Sequence, residues 1–194
     1  MTSSKPRIHK DLDHHQYTLR SPKETNLFWD MRYDPRDRNN QFREPRFPYH
    51  FSYYGPRTMA FLPRVERLCV LFRYHRKVPH YWVFDIVHYG PPSPQDGYAI
   101  TAEDVVSGIY DQLQLLPSHE DVAFSKEHNK LADQARLERC ELFGLDKSRE
   151  PVRRIDYIKG VQGGCAFAGL DKYDRHLATP IMRIYTGEIT PRSF

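Results

Sequence analysis

The chain has 194 residues, of which 39% are hydrophobic and 28% charged, a length that closes one sizeable core and hardly two. No apolar run approaches the roughly 18 residues of a membrane-spanning helix, and the start lacks the apolar stretch of a secretory signal. Three widely spaced cysteines predict reduced thiols. We therefore expect a soluble intracellular protein with no membrane partner, in the cytoplasm, with a nuclear location left open.

The excess positive charge is confined to an N-terminal arm, residues 1–57. The whole chain carries 29 Lys and Arg against 25 Asp and Glu, and the arm holds 11 against 7 of them. Six of the 15 prolines also lie in the arm, which excludes a run of regular helices. Its many aromatic side chains would lose their burial energy in water. We therefore expect the arm to pack on the core domain, residues 58–194, or on a partner.

Two stretches of alternating apolar residues predict an antiparallel hairpin. The first covers residues 67–76 and the second residues 81–88. Their apolar faces agree only if the numbers of paired residues sum to an even value. On that register Asp85 shares a face with Arg73 and His75. The inward positions are Leu68, Val70, Phe72, Trp82, Phe84 and Ile86.

Two helices are predicted after the hairpin. Thr101 is a suitable N-cap because two acidic residues follow it in the first turn. Val106, Ile109 and Leu113 then lie on one helical stripe, which should complete the core with the hairpin. A second helix is expected over about residues 120–143.

The rest of the chain predicts strands again. They are expected over residues 153–158, 165–168 and 180–185, with a glycine turn at residues 160–164. This order of elements lacks the alternation of a doubly wound parallel sheet. We predict an α+β fold, in which a mostly antiparallel sheet packs against two helices and carries an extended N-terminal arm.

Four short landmarks occur along the chain in a definite order. They are Trp29-Asp30, the helix start Thr101-Ala102-Glu103-Asp104-Val105, the run Arg153-Arg154-Ile155-Asp156 that ends at Gly160, and Phe167-Ala168-Gly169-Leu170. Together they resemble an uncharacterised family of fungal proteins. The resemblance implies a fold and a compartment and carries no activity.

The first candidate site lies near the hairpin. His75 and His88 flank it, and Asp85 lies between them in sequence. An imidazole oriented by a carboxylate is a usable general base, because its ordinary pKa of about 6.5 is close to neutrality. His75, Asp85 and His88 are therefore the candidate catalytic residues. The alternative is that they are edge-of-sheet histidines with a hydrogen-bonded aspartate.

The second candidate site is a pair of residues on the strand predicted over residues 153–158. Arg154 and Asp156 should share one face of that strand. The guanidinium could bind a ligand carboxylate or phosphate. The alternative is a structural Arg/Asp network, because a buried carboxylate needs a charged or donor partner.

Three weaker patterns could indicate a metal, a phosphate-binding loop or a nucleophile, but each is better explained by a structural role. The adjacent His14 and His15 lie near Asp11 and Asp13, but neighbouring side chains diverge from an extended chain. The glycines between residues 160 and 169 are not followed by Gly-Lys-Ser/Thr, which favours a hairpin turn over a phosphate loop. Cys165 is expected to be a buried small residue. We therefore predict no metal and no cofactor.

These observations favour a domain that binds a protein or a small-molecule ligand and has no recognisable catalytic motif. One alternative is a cofactor-free acid/base enzyme that uses the two candidate sites. A second alternative is an RNA-binding module, because the arginines of the arm are interleaved with aromatic residues. Acidic residues in the same arm reduce its charge excess, so nucleic acid is a disfavoured partner.

Overall fold

The structure, a computed structural model, describes residues 7–8, 12, 29–37, 60–62, 64–72, 82–88, 90–92, 97–118, 125–174 and 181–187. Within these ranges the chain forms six strands and three helices. The strands are β1 (Arg7–Ile8), β2 (Phe61–Leu62), β3 (Arg67–Phe72), β4 (Trp82–Val87), β5 (Ala166–Asp174) and β6 (Ile181–Gly187). The helices are α1 (Ala102–Leu113), α2 (Lys126–Phe143) and α3 (Arg154–Gln162).

Four of the strands form one sheet in the order β4-β3-β6-β5. The outer pairs β3–β4 and β5–β6 are antiparallel, and the central pair β3–β6 is parallel. The strands β1 and β2 form a separate antiparallel pair. The predicted α+β class with a mostly antiparallel sheet is confirmed.

The hairpin has the predicted register. Arg67 lies opposite Val87 and Phe72 opposite Trp82, so paired numbers sum to an even value. The inward residues of both strands are buried in one cluster with the stripe of α1, and this confirms the predicted core. Helix α1 packs on this inner face, where a Cβ added at Gly108 would lie 3.0 Å from Cγ1 of Ile86.

The strand predicted over residues 153–158 is wrong, because these residues open helix α3. Asp156 completes a capping box with the backbone of Arg153, and Gly163 ends the helix with a φ of 78°. The four residues from Ile155 to Ile158 are all buried, so their alternation does not mark a half-buried strand. The predicted count of two helices is therefore wrong too, and Gly163 ends a helix instead of turning a hairpin.

Helix α3 packs closely against α2. A Cβ added at Gly160 would lie 2.4 Å from the carbonyl oxygen of Leu131, so glycine at this position allows the two backbones to approach. Helix α2 begins at Lys126 after the N-cap Ser125. The expected earlier start, near residue 120, falls among residues 119–124, which lie outside the described ranges.

Part of the predicted arm contributes to the core. Trp29 and Met31 are buried in the core cluster, and Asp30 forms a β-bridge with Ala166 at the start of β5. The backbone N–H of Phe167 donates to the carbonyl of Trp29 at 2.8 Å. Residues 29–31 therefore extend the sheet at its β5 edge. No helix in the described ranges is long and apolar enough to cross a membrane.

Candidate functional site

His88 follows β4 and contacts the start of α1. Its Nδ1 lies 2.8 Å from Oδ2 of Asp104, and its Nε2 lies 3.1 Å from the carbonyl oxygen of Pro91. Because side chains alternate along a strand, His88 has the parity of the buried Phe84 and Ile86. This parity places the imidazole on the face of the sheet that α1 covers.

Asp104 is held in place by the N-terminal cap of α1. Its Oδ2 accepts hydrogen bonds from the backbone N–H of Thr101 at 2.9 Å and from the Thr101 hydroxyl at 2.7 Å. The same hydroxyl oxygen accepts from the N–H of Asp104 at 3.1 Å, which closes a reciprocal capping box. The sequence predicted Thr101 as the N-cap, and the structure adds that its carboxylate partner also binds a histidine.

The surroundings of His88 favour its protonated form. The hydrogen bond to Asp104 raises the pKa of His88, and the hydrogen bond to the Pro91 carbonyl raises it further. Both neighbours are acceptors, and an imidazolium has an N–H on each nitrogen. The arrangement orients the ring as a base would need, but both nitrogens are engaged, so neither is free to take a proton from a substrate.

Asp85, the candidate carboxylate near the hairpin, is not the partner of His88. Asp85 lies opposite Cys69 on the other face of the sheet and forms a 2.5 Å ion pair with Arg67. The two residues are three positions apart, so strand alternation directs their side chains to opposite faces. The carboxylate beside the His88 imidazole is that of Asp104. His75 lies outside the described ranges.

Arg154 and Asp156 do not share a strand face. Asp156 lies in the first turn of α3, where it accepts from Nε of Arg139 at 2.9 Å and from the backbone N–H of Arg153 at 2.8 Å. The guanidinium of Arg154 instead lies over the ring of Trp82, 5.3 Å from its centroid. The two side chains thus have separate environments, because a helix turns successive residues to different sides.

Arg139 and Asp156 belong to a structural network that the sequence analysis missed. Arg139 also donates to Oε2 of Glu150 at 3.2 Å and to the carbonyl of Pro151 at 2.9 Å. Arginine and aspartate were the expected residue types, but the arginine comes from α2. Helical spacing gives Arg139 the same face as the buried Ala132 and Ala135, which marks it as inward-facing but does not identify its partner.

A second buried cluster joins residues 30–32 to the start of β5. Arg32 donates to the carboxylate of Asp30, with a shortest distance of 2.6 Å, and Sγ of Cys165 lies 3.1 Å from Oδ1 of Asp30. Burial raises the pKa of the Cys165 thiol strongly, and the charge of Asp30 raises it further. The thiol therefore stays protonated and donates to Asp30. Cys165 is only 1% exposed, which confirms the prediction that it is a buried residue.

Two arginines of the arm, Arg32 and Arg36, are paired with carboxylates. Arg32 binds Asp30, and Arg36 binds both Asp34 at 2.9 Å and Asp111 of α1 at 2.7 Å. These pairs reduce the charge that the two guanidiniums can offer to phosphates. Arg38, Arg43, Arg46 and Arg57 lie outside the described ranges.

The face of the hairpin opposite α1 is exposed along β4 and half-buried at Cys69 and Leu71 of β3. We call it the outer face, and it consists of Arg67, Cys69, Leu71, Val83, Asp85 and Val87. Val83 is 61% exposed and Val87 39%. Within the described residues β4 pairs only with β3, so it is an edge strand of the sheet.

Among the residues that the structure describes, no group of three or more His, Cys, Asp or Glu side chains is placed to hold a metal ion. The pairs His14/His15 and Asp11/Asp13 fall outside that part of the chain.

In the described part of the chain, an α+β domain with a mixed four-stranded sheet and three helices thus combines a histidine bound to the capping aspartate of α1 with two buried polar clusters and an exposed face of β4. Residues 27–177 match the model of a family described as "Family of unknown function (DUF6699)", and the chain belongs to this family. The match includes α1, α2 and α3 and most of the sheet. No curated protein and no solved structure matched the chain.

The four sequence landmarks all fall inside the family match. Trp29-Asp30 pairs with β5, and Thr101 and Asp104 cap α1. Arg153 and Asp156 begin α3, and the run Phe167-Ala168-Gly169-Leu170 lies in β5. Each landmark therefore has a role in folding that is visible in the structure.

Proposed function

We propose that this domain is a non-catalytic protein-binding module that holds an extended segment of a partner along β4 and its outer face. The exposure of Val83 on an edge strand is the observation that carries the proposal. Burying such a side chain against a partner contributes about 1.5–3 kcal/mol.

The edge of β4 supports a partner in the strand conformation. The side of an edge strand that faces away from its neighbour presents backbone N–H and C=O groups that another chain can pair with. Charged residues often protect such edges, but Asp85 is neutralised by its ion pair with Arg67. Because the exposed valines Val83 and Val87 are four residues apart with Asp85 between them, the partner should have apolar residues four positions apart.

The shape of the outer face favours a protein over a small molecule. A small molecule is held in a concave site with convergent polar groups. Val83 and Val87 instead lie on a pleated sheet surface, where side chains from only two strands flank them. This arrangement suits an extended peptide that lies along the sheet.

The two alternative functions have less support. An acid/base enzyme would use His88 with Asp104, and it would require the Pro91 carbonyl to leave Nε2 before a substrate could reach it. An RNA-binding module would need unpaired arginines, whereas Arg32 and Arg36 are bound to carboxylates.

The test uses a phage-displayed library of random linear peptides selected on the full chain. We expect the selected peptides to share apolar residues four positions apart. Val83→Lys should weaken their binding by about tenfold or more, which corresponds to about 1.4 kcal/mol. Leu116→Lys is the matched control, because Leu116 is 58% exposed and lies after the end of α1, outside both strands of the hairpin.

Three results would overturn the proposal. The first is a selection without a shared pattern, and the second is equal binding of the peptides to wild type and Val83→Lys. The third is slow hydrogen exchange, in the isolated chain, of the β4 backbone amides that point away from β3. That result would mean that the arm or a second copy of the chain already occupies the edge.

A further inference from the structure

We propose that His88 is a pH-dependent latch: its imidazolium holds residues 90–92 against the start of α1, and loss of one proton releases them. The proposal concerns a contact inside the domain and is independent of the proposed function.

The latch follows from the number of donors that the site requires. The carboxylate oxygen of Asp104 lies 2.8 Å from Nδ1, and the carbonyl oxygen of Pro91 lies 3.1 Å from Nε2. A carboxylate and a carbonyl can only accept, so the ring must donate from both nitrogens. A neutral imidazole has one N–H, and deprotonation therefore leaves a lone pair facing an acceptor oxygen.

The contact that breaks is the one to Pro91. Asp104 is fixed by two hydrogen bonds from Thr101, and its negative charge attracts the remaining N–H more strongly than a neutral carbonyl does. The remaining proton should therefore stay on Nδ1. Pro91 and Pro92 are exposed, so residues 90–92 can move away without uncovering the core.

Gly90 completes the latch. A Cβ added at this residue would lie 2.9 Å from Nε2 of His88, so glycine allows the backbone to pass close to the ring. The amide of Gly90 is consequently a sensitive reporter of whether the loop is held.

The release of residues 90–92 depends on one proton, because His88 is the titrating group at this contact. Among the described residues, the carboxylate that faces the ring from α1 is Asp104. Its neighbour Glu103 is exposed, residues 90–92 have no ionisable side chain, and Asp85 lies on the opposite face of β4. The two hydrogen bonds raise the pKa of His88 above its ordinary value of 6.5.

The test is an NMR titration of the full chain that follows both ring nitrogens of His88 and the amide of Gly90. Below the transition, both nitrogens should have the shifts of an imidazolium. Above it, the proton should remain on Nδ1, and the Gly90 signal should move with the same midpoint. This experiment on wild type needs no variant and no partner, so its outcome does not depend on the peptide experiment.

Two variants make the assignment specific. His88→Gln should abolish the pH-dependent shift of the Gly90 signal, because the glutamine side chain does not titrate. His128→Gln, which changes a histidine of α2, should leave it in place. The proposal is overturned if His88 titrates at or below 6.5, if its neutral form has the proton on Nε2, or if the Gly90 signal does not follow the ring.

Discussion

Arg139 of α2 and Asp156 of α3 form a buried ion pair, with Nε donating to Oδ1 at 2.9 Å and side chains only 3% and 2% exposed. The pair joins the two helices where Gly160 also brings them into contact. A buried charge is tolerated when its partner and its hydrogen bonds are complete. Here the backbone N–H of Arg153 and the carbonyl of Pro151 complete them.

Asp156→Asn should destabilise the protein strongly. The change leaves the buried Arg139 without its main counter-charge, at a cost of about 3–5 kcal/mol. Urea unfolding of variant and wild type measures the difference. Asp133→Asn is the matched control, since Asp133 lies exposed on α2 and pairs with Arg136. If Asp156→Asn were as stable as wild type, the structural role of the pair would be contradicted.

Gly160→Ala should destabilise the protein, although such a change within a helix ordinarily stabilises it by about 0.5–1 kcal/mol. The new Cβ would meet the carbonyl oxygen of Leu131 at 2.4 Å, and this atom belongs to the backbone of α2. The helices must therefore separate. The melting temperature measures the effect.

Gly144→Ala is a useful comparison for Gly160→Ala. Gly144 has a φ of 64° with no atom within 4 Å of an added Cβ, so only backbone strain of about 1–2 kcal/mol is expected there. A Gly160→Ala variant more stable than wild type would contradict the close approach of α2 and α3.

The sequence predicted the elements in which apolar residues recur with a clear period on one face only. The alternation in β3 and β4 and the stripe of α1 each have one buried and one exposed face, so the pattern determines both the element and its orientation. The prediction of a strand over residues 153–158 was wrong because the four residues from Ile155 to Ile158 are all buried. A segment covered on every side has no period that distinguishes helix from strand, and the capping box that marks this helix depends on Asp156.

The sequence identified individual residues of the candidate sites but not the residues that they contact. His88 was identified, but its carboxylate comes from α1, 16 residues later in the chain. Asp156 was identified, but its guanidinium comes from α2, 17 residues earlier. Both partners are set by how helices pack on the sheet and on each other, and local spacing contains no information about that packing.

Cys165 should resist thiol reagents in the folded protein. Burial and the nearby Asp30 carboxylate raise the pKa of its thiol, and the thiolate is the reactive form. Cys69 is partly exposed and should react first. Mass spectrometric mapping after brief treatment with an alkylating reagent measures the order, and unfolding in urea should make all three cysteines reactive. Labelling of Cys165 as fast as Cys69 in the native protein would be inconsistent with the buried cluster.

The stabilising effect of His88 should depend on pH. The hydrogen bond to Asp104, followed by that to Pro91, raises the pKa of His88 in the folded state. A group whose pKa is raised by folding stabilises the protein fully below its unfolded value, about 6.5. This contribution is lost as pH rises through the folded value. The free energy of unfolding of wild type should therefore exceed that of His88→Gln most at mildly acidic pH, and the excess should shrink on the alkaline side.

Urea unfolding of wild type and His88→Gln across this pH range measures the difference in their free energies of unfolding. Asp104→Asn removes the carboxylate whose hydrogen bond and charge raise the pKa of His88, so the pH dependence should weaken in that variant as well. Some excess should persist at alkaline pH, because the neutral ring still donates from Nδ1 to Asp104. A difference between wild type and His88→Gln that stays constant, or grows as pH rises, would show that the imidazole is not protonated preferentially by folding. In that case the contact between Nε2 and the Pro91 carbonyl could not act as the proton-dependent part of the latch.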